Sequence, residues 1–159
     1  MKRVLITGSQ GSLGSILQQG LWNVFSLSCI DIVANETVVA IDIAKEYNKF
    51  KDFAKNHDII IHLAWDTKED YPNENIVSTN KVMAENIYRA AVEAGVPRVI
   101  LASSVHAKDY SKAMAGDELS ANSESYPDTP YGATKNYIES LGRFYSRKYN
   151  LEVICIRFG

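Results

Sequence analysis

The sequence contains little cysteine and no excess of basic residues, and each shortage excludes a class of protein. Its 159 residues include two cysteines and three histidines. Cys29 and Cys155 both fall in segments with the pattern of buried strands, and neither has a metal-ligand spacing with a histidine. This argues against a disulfide framework and against a zinc site. The sequence therefore predicts no bound metal and two reduced packing cysteines.

The charge balance argues against a polyanionic partner. The chain has 17 lysines and arginines against 19 acidic residues, which gives a formal net charge of −2. No basic stripe exists to hold a nucleic-acid backbone or an anionic membrane. No apolar run approaches bilayer-spanning length, and the first residues lack the pattern of a signal peptide. We therefore expect a cytoplasmic protein that binds neither nucleic acid nor membrane.

The sequence does have a glycine-rich turn directly after its first apolar segment. Gly8, Gly11 and Gly14 follow the strand-like residues 3–7 at intervals of three, and a helical pattern comes next. The first glycine lets the chain leave the strand, the second lets backbone approach a pyrophosphate, and the third lets the helix pack on the sheet. An acidic residue, Asp31, lies further on, as dinucleotide sites of this type require. The pattern predicts a phosphate-binding loop.

Strand-like and helical segments alternate along the whole chain. Such alternation is typical of a parallel sheet with helices on both faces. We predict one α/β domain over residues 1–159, with a Rossmann-type doubly wound parallel six-stranded sheet in the strand order 3-2-1-4-5-6. The predicted strands cover residues 3–7, 24–31, 37–41, 58–63, 98–103 and 152–158.

Apolar residues at helical spacing predict the helices between these strands. The first follows Gly14, and the others cover residues 45–56, 80–94 and 130–149. Gly95, with Pro97 two residues later, is the stop signal of the third helix. The apolar residues of the last helix are predicted to face inward, and they are Ile138, Leu141, Phe144, Tyr145 and Tyr149.

Two further segments carry residues suited to acid–base chemistry. Ser103, Ser104 and His106 come at the end of the fifth strand. Tyr131 and Lys135 begin the last helix four residues apart, so they share one helix face. Both segments lie at the carboxyl edge of the sheet, where open α/β sheets bind ligands. One cation about 4 Å from a phenol supplies about 4 kcal/mol at an effective dielectric constant of about 20, which is enough to activate a tyrosine near neutral pH.

Together these motifs resemble the extended short-chain dehydrogenase/reductases, the NAD-dependent epimerase/dehydratase group. Within that group, the serine pair followed by His106 looks most like the uronate dehydrogenases and related sugar-1-dehydrogenases. The resemblance spans nearly the whole chain. It is carried by the glycine turn, by Ile61-His62-Leu63-Ala64 at the end of the fourth strand, by Asn80, by Ser103-Ser104, and by the spacing of Tyr131 and Lys135.

The resemblance implies a role for each residue near the reacting bond. Tyr131 would be the general base that takes a proton from a sugar or sugar-acid hydroxyl while hydride passes to NAD. Lys135 would hold the nicotinamide ribose and activate the tyrosine. Ser104 would hydrogen-bond the reacting oxygen, and His106 would contact the substrate.

The resemblance also implies how NAD would be held. Asp31 would accept the adenosine ribose hydroxyls, and Asp42 and Ile43 would lie beside the adenine. A carboxylate at position 31 repels the 2′-phosphate of NADP, and no arginine or lysine follows before Lys45, so NAD is expected over NADP. The full expected cofactor set is Gly8, Gln10, Gly11, Ser12, Leu13, Gly14, Asp31, Asp42, Ile43, Leu63, Ala64, Trp65, Asn80, Tyr131 and Lys135.

Three hypotheses about function stay open from the sequence. In the resembling family, a sizeable substrate-binding region follows the sixth strand, whereas this sequence ends at Gly159. The chain would then be the cofactor part of an NAD-dependent sugar oxidoreductase, or an NAD-binding module with little or no turnover. Nucleotide-sugar epimerase or dehydratase chemistry is the third possibility. The resemblance further implies a homodimer through the helices at 80–94 and 130–149.

Overall fold

Six parallel strands form one sheet in the computed structural model, which describes residues 1–66, 78–108, 112, 114–116, 120 and 124–159. The sheet order is β3-β2-β1-β4-β5-β6, and every adjacent pair is parallel. This confirms the predicted fold class and strand order. The strands are β1 Arg3–Thr7, β2 Ser26–Asp31, β3 Val38–Ala40, β4 Ile59–His62, β5 Arg98–Ser104 and β6 Glu152–Phe158.

The strand register brings the functional segments to one edge of the sheet. Thr7 at the end of β1 is level with Ile30 on β2 and with His62 on β4. The chain order reverses between β1 and β4, so a crevice opens beyond their carboxyl ends. The glycine turn, the segment after β2 and the segment after β4 therefore all begin beside this crevice.

Among the described residues, four α-helices pack on the sheet, and local sequence signals set their ends. Ser78 caps the third helix through the Lys81 amide, and Gly95 ends it in the left-handed conformation with φ of 73°. Thr129 caps the fourth helix through the Gly132 amide. These are the expected start and stop signals. The helices are α1 Ser12–Leu21, α2 Tyr47–Ala54, α3 Thr79–Ala94 and α4 Pro130–Tyr149.

The core lies in two hydrophobic clusters, which use alternate residues of the central strands. The larger contains Leu5 and Ile60 together with the buried residues of α2, α3 and α4. The smaller contains Val4, Ile6 and Ile61, and Leu17 and Leu21 of α1 pack against it. A buried leucine or isoleucine contributes about 1.5–3 kcal/mol, so both faces of the central strands stabilise the fold.

Several predicted boundaries shift by a few residues, for identifiable reasons. β2 begins at Ser26 rather than at residue 24, because the amides of Val24 and Phe25 still bond to the carbonyl of Leu21 in the turn after α1. α2 begins at Tyr47 rather than at residue 45, because the preceding residues form a turn closed by the Glu46 amide on the Asp42 carbonyl. β6 and α4 have the predicted bounds.

Two predictions about which side chains are covered are wrong. Phe144 and Tyr149 are 48% and 44% exposed, because they lie outside the buried face of α4, which is centred on Ile138 and Gly142. Their rings contact each other at the surface. The sheet is also not covered on both faces at its edge, where one side of β6 leaves three apolar side chains about two-fifths exposed. These are Ile154, Ile156 and Phe158.

A buried ionic cluster ties α4 to the last two strands. Glu139 on α4 accepts hydrogen bonds from Ser103 Oγ on β5 and from Arg157 Nε and Nη2 on β6, at 2.5, 2.9 and 2.7 Å. Burial raises the pKa of Glu139, but the hydrogen bonds from Arg157 and Ser103 and the charge of Arg157 outweigh it, so the pKa is lowered. The carboxylate is thus held ionised, and α4 is fixed against the strands that carry Ser104.

We predict that Glu139→Gln destabilises the protein by about 2–3 kcal/mol at neutral pH, because Arg157 loses its charged partner. The effect stays below that of a fully buried pair, since the Arg157 side chain is 21% exposed. The free energy of unfolding from urea titrations measures it. Asp52→Asn is the matched control, because Asp52 pairs with Lys55 on the solvent-exposed surface. Its free energy of unfolding is expected to change by no more than about 0.5 kcal/mol.

The difference between wild type and Glu139→Gln should also depend on pH. A carboxyl whose pKa is lowered in the folded protein stabilises the fold above its unfolded pKa, which for glutamate is its ordinary value of 4.5. This contribution disappears as pH falls through the folded pKa. The difference should therefore shrink in acid. An equal difference at neutral and acid pH would show that the effect is loss of packing and not loss of the ion pair.

Candidate functional site

The glycine turn after β1 is shaped by close contacts between backbone segments. Gly8 has φ of 66°, and a Cβ there would lie 2.5 Å from the Ala64 amide nitrogen. A Cβ on Gly14 would lie 2.5 Å from the carbonyl oxygens of Gly8 and Ser9. Only glycine meets either condition without a backbone shift. The sequence assigns these two glycines to the turn and to helix packing, and the structure places them so.

The start of α1 has the features of an anion site. Gly11 occupies the N-cap position without a side-chain cap, and the first turn contains no acidic residue. A Cβ on Gly11 would meet only the Gly8 carbonyl, at 3.4 Å. The first turn of the helix, which includes Ser12 and Leu13, therefore has open space beside its backbone amides. The helix dipole favours a negative charge at this position.

Asp31 lies at the end of β2, next to the glycine turn. Its Oδ2 accepts from the Gln10 amide at 2.9 Å, and its Oδ1 accepts from the Ile32 amide at 2.7 Å. Gln10 in turn donates to the Val33 carbonyl and accepts from Asn35. The carboxylate predicted to read the adenosine ribose is thus held by backbone amides at the rim of the crevice.

Asp42 and Ile43 have clear structural roles in the turn before α2. Asp42 Oδ1 accepts from the Ala44 and Lys45 amides at 3.0 and 3.3 Å. The Ile43 side chain is 3% exposed within the larger core cluster, and its carbonyl accepts from Asn86. The family resemblance puts both beside the adenine, and the structure shows a turn cap and a core residue.

The segment after β4 is fixed at both ends. The Leu63 amide bonds to the Thr7 carbonyl, and Ala64 lies against Gly8. Asn80, 1% exposed at the start of α3, accepts from the Asp66 amide at 2.7 Å and donates to the Asp66 carbonyl at 2.9 Å. Asn80 therefore clamps the backbone on the far side of Trp65.

The structure brings Tyr131, Lys135 and Trp65 together. Lys135 Nζ donates to the Ala102 carbonyl at 2.8 Å and lies 3.7 Å from the centre of the Trp65 ring. It lies 5.5 Å from the centre of the Tyr131 ring. The indole meets the Tyr131 ring edge to face, with centroids 5.2 Å apart. The predicted helix face is confirmed, and Trp65 is part of the same cluster.

Ser104 and His106 are joined to this cluster through backbone contacts. Ser104 is buried at the end of β5, and its Oγ accepts from the His106 amide at 3.3 Å. The His106 and Tyr131 rings meet edge to face at 5.9 Å. Gly132 lies against the His106 carbonyl, where a side chain would clash. The start of α4 is therefore packed directly on the segment that follows β5.

Sequence reasoning misses Asp128 and Glu139. Asp128 lies 3.0 and 3.2 Å from His106 Nδ1 through its two carboxylate oxygens. Nothing in its position three residues before Tyr131 indicates that contact. Glu139 is detectable, since it lies four residues after Lys135 and eight after Tyr131, on the same helix face.

His62 is a structural histidine, as its place at the end of β4 suggests. Its Nδ1 is 2.7 Å from Thr7 Oγ1 on the neighbouring strand. Burial, together with the charge of Lys135, lowers the pKa of His62 to about 3. The imidazole is therefore neutral at physiological pH, and it adds no positive charge beside Lys135.

Metal and membrane sites have no counterpart in the described residues. No group of three histidine, cysteine, aspartate or glutamate side chains there is placed to hold a metal ion. Over the same part of the chain, no helix has the length and apolar character needed to cross a membrane.

The chain is similar in sequence to curated sugar dehydrogenases. The chain is 33% identical over 165 residues to a uronate dehydrogenase of Pseudomonas syringae pv. tomato, covering 99% of this chain and 58% of that protein. It is 28% identical over 171 residues to L-arabinose 1-dehydrogenase (NAD(P)(+)) of Haloferax volcanii, covering 100% of this chain and 67% of that protein. The chain thus spans about three-fifths to two-thirds of the length of these relatives.

The chain is also similar to solved structures of uronate dehydrogenase. A mutant of uronate dehydrogenase from Agrobacterium tumefaciens, solved in complex with NAD, superimposes with a TM-score of 0.82 at 28% identity, over 96% of this chain and 59% of that one. Residues 4–159 match the family described as the NAD dependent epimerase/dehydratase family. That description names NAD, which confirms the predicted cofactor at the level of the family. The chain belongs to the NAD dependent epimerase/dehydratase family.

Proposed function

We propose that residues 1–159 form a single NAD-binding domain of an oxidoreductase that acts on a sugar or sugar acid. The observation that carries this proposal is the placement of Tyr131 and Lys135 at the same sheet edge as the glycine turn. Lys135 reaches the β5 backbone, and β5 carries Ser104 at its end. The dehydrogenase relatives support the same reaction class.

The crevice fits the adenosine diphosphate part of NAD. Open space beside Gly11 and the uncapped start of α1 suit a diphosphate, with Gln10, Ser12 and Leu13 supplying backbone around it. Asp31 suits a ribose diol, because a carboxylate accepts hydrogen bonds from both hydroxyls. We place the adenine near Asp42 and Ile43. Leu63, Ala64 and Asn80 would form the wall along the remaining half of the cofactor, with Trp65 at its nicotinamide end.

At the reacting end, Tyr131 takes the proton of the substrate hydroxyl as general base. NAD, when bound, supplies the chemistry that accepts the hydride from the same carbon. Ser104 hydrogen-bonds the reacting oxygen, and Lys135 holds the nicotinamide ribose beside the phenol. His106, oriented by Asp128, contacts the sugar. A positioned base of this kind contributes about 10²–10⁴-fold to rate.

An NAD-binding module with little turnover is the second candidate. It requires only the uncapped start of α1, the open space beside Gly11 and the carboxylate of Asp31. Positioning of the reacting carbon contributes much of an enzyme's rate. The two candidates share every prediction about NAD binding, and they differ in whether NADH forms.

We expect the protein to bind NAD more tightly than NADP, because the Asp31 carboxylate repels a 2′-phosphate. Asp31→Asn should reduce the ratio of the two affinities about tenfold, since it removes the charge. Isothermal titration of wild type and variant with each nucleotide measures the ratio. Asp58→Asn is the matched control, because Asp58 also bonds a backbone amide, that of Arg3, but at the opposite end of β1. An unchanged ratio in Asp31→Asn would show that another residue sets the preference.

We expect NADH to form from NAD and a sugar, and Tyr131→Phe to reduce the rate by about 10²–10⁴-fold with NAD affinity retained. L-arabinose and D-glucuronate are the substrates to test, given the names of the relatives. Tyr137→Phe, on the same helix but bonded through its hydroxyl to Glu85 at the surface, should keep the wild-type rate. Activity that survives in Tyr131→Phe would exclude Tyr131 as the base.

We also propose a homodimer in which α3 and α4 pair with their copies. The two helices lie side by side in the protomer, with Tyr137 bonded to Glu85 across them and Lys81 over the Tyr137 ring. Light scattering over a range of protein concentrations should give twice the protomer mass, and Tyr137→Glu should reduce it. A protomer mass at every concentration would contradict the dimer.

A further inference from the structure

The Trp65 ring contacts both residues that the proposed function places at the nicotinamide end, Lys135 and Tyr131. Its ring centre is 3.7 Å from Lys135 Nζ, and its centroid is 5.2 Å from that of Tyr131. An ammonium at this distance from an indole face is held by the ring quadrupole. Lys135 Nζ is also 5.5 Å from the centre of the Tyr131 ring, so the indole, the ammonium and the phenol ring form one compact triangle.

The backbone on both sides of Trp65 is fixed. Ala64 lies against Gly8 so closely that no Cβ fits between them. On the other side, Asn80 holds both the amide and the carbonyl of Asp66. Any displacement of the indole must therefore come from rotation of its side chain and not from movement of the chain.

The Lys135 ammonium has the chemistry to exchange one contact for another. Its hydrogen bond to the Ala102 carbonyl anchors it to β5. Ribose hydroxyls are hydrogen-bond acceptors for an ammonium, and a directional hydrogen bond can replace a cation–π contact on the same group. Only the nicotinamide half of NAD would reach this place, because the adenosine half is held at the glycine turn and Asp31.

We infer that Trp65 is a displaceable side chain that holds Lys135 in the nucleotide-free protein and is rotated away by the nicotinamide riboside half of NAD. The inference rests on the proposed function, since it takes NAD as the ligand. It predicts that Trp65 selects between ligands by their nicotinamide half and has no effect on the adenosine half. It also makes Trp65 a positioning residue for Lys135.

ADP and NAD separate the two halves. ADP has the adenosine and the diphosphate but neither the second ribose nor the nicotinamide, so both ligands should bind at the glycine turn and only NAD should reach Lys135. We expect Trp65→Leu to bind NAD about threefold to tenfold more tightly than wild type, because NAD no longer displaces the indole. The affinity for ADP should stay within about twofold. Isothermal titration gives both affinities, and Trp22→Leu is the control, since Trp22 is 62% exposed beyond α1.

Fluorescence follows the ring itself. The chain has two tryptophans, so Trp22→Phe leaves Trp65 as the sole indole emitter. In that background, NAD should change the emission of Trp65 and ADP should not. Lys135→Met should change the emission with no ligand added, whereas Lys45→Met should leave it unchanged, because Lys45 lies in the open beside Asp42.

The outcomes distinguish the proposed function from the displacement of Trp65. If neither ligand binds wild type, the proposed function fails. The emission of Lys135→Met still tests the contact between Lys135 and the Trp65 ring. If both ligands bind and Trp65 emission responds to neither or to both equally, the inference fails alone. Weaker NAD binding by Trp65→Leu would make Trp65 a platform for the nicotinamide and would overturn displacement. Unchanged affinity for both ligands would overturn it as well.

Discussion

The geometry of the site depends on backbone contacts at the end of β1, where no side chain fits. The Gly8 turn presses directly on Ala64, and α1 presses on the same turn through Gly14. The start of α1 and the segment after β4 are therefore both in direct contact with the Gly8 turn. The place suited to a diphosphate and the segment that carries Trp65 are consequently parts of one rigid unit. A methyl group at Gly8 or Gly14 would separate them.

The second half of the site is held to this unit by α4. Gly132 packs on the His106 carbonyl, Lys135 bonds to the Ala102 carbonyl, and Glu139 bonds to Ser103 and Arg157. Successive turns of one helix face thus contact successive points along the end of β5 and its neighbour. The consequence is that Tyr131 and Ser104 are set by the same contacts, and neither depends on a flexible surface side chain. The ionised Glu139 is the polar residue on which this attachment rests.

Much of the fold could be predicted from sequence because its signals are local or periodic. The glycine spacing, the alternation of strands and helices, the left-handed stop at Gly95 and the pairing of Tyr131 with Lys135 on one face all follow from residues close in the chain. The strand order follows from this alternation together with the family resemblance. Exposure at Phe144 and along one side of β6 could not be predicted, because apolar periodicity does not say whether a partner element lies opposite.

The contacts that define the site's chemistry are harder to predict, because they join residues far apart in sequence. The Asn80 clamp on Asp66 and the Asp128 contact with His106 join residues that are 14 and 22 positions apart in the chain. The sequence suggests Trp65 beside the cofactor, but its position on the Lys135 ammonium depends on three elements, β4, β5 and α4, meeting at one point. Asp42 caps the turn before α2 and the Ile43 side chain lies in the core, and their place beside the adenine stays a prediction from the family resemblance.

The central claim is that a dinucleotide lies across this sheet edge, with its diphosphate on the amino end of α1 and its nicotinamide ribose on Lys135. A crystal structure of the protein with NAD tests it most directly. We expect diphosphate oxygens within hydrogen-bond distance of the Ser12 and Leu13 backbone amides, and ribose hydroxyls at Lys135 Nζ in place of the Trp65 ring. A diphosphate bound away from the glycine turn, or a nicotinamide half remote from Tyr131, would contradict it.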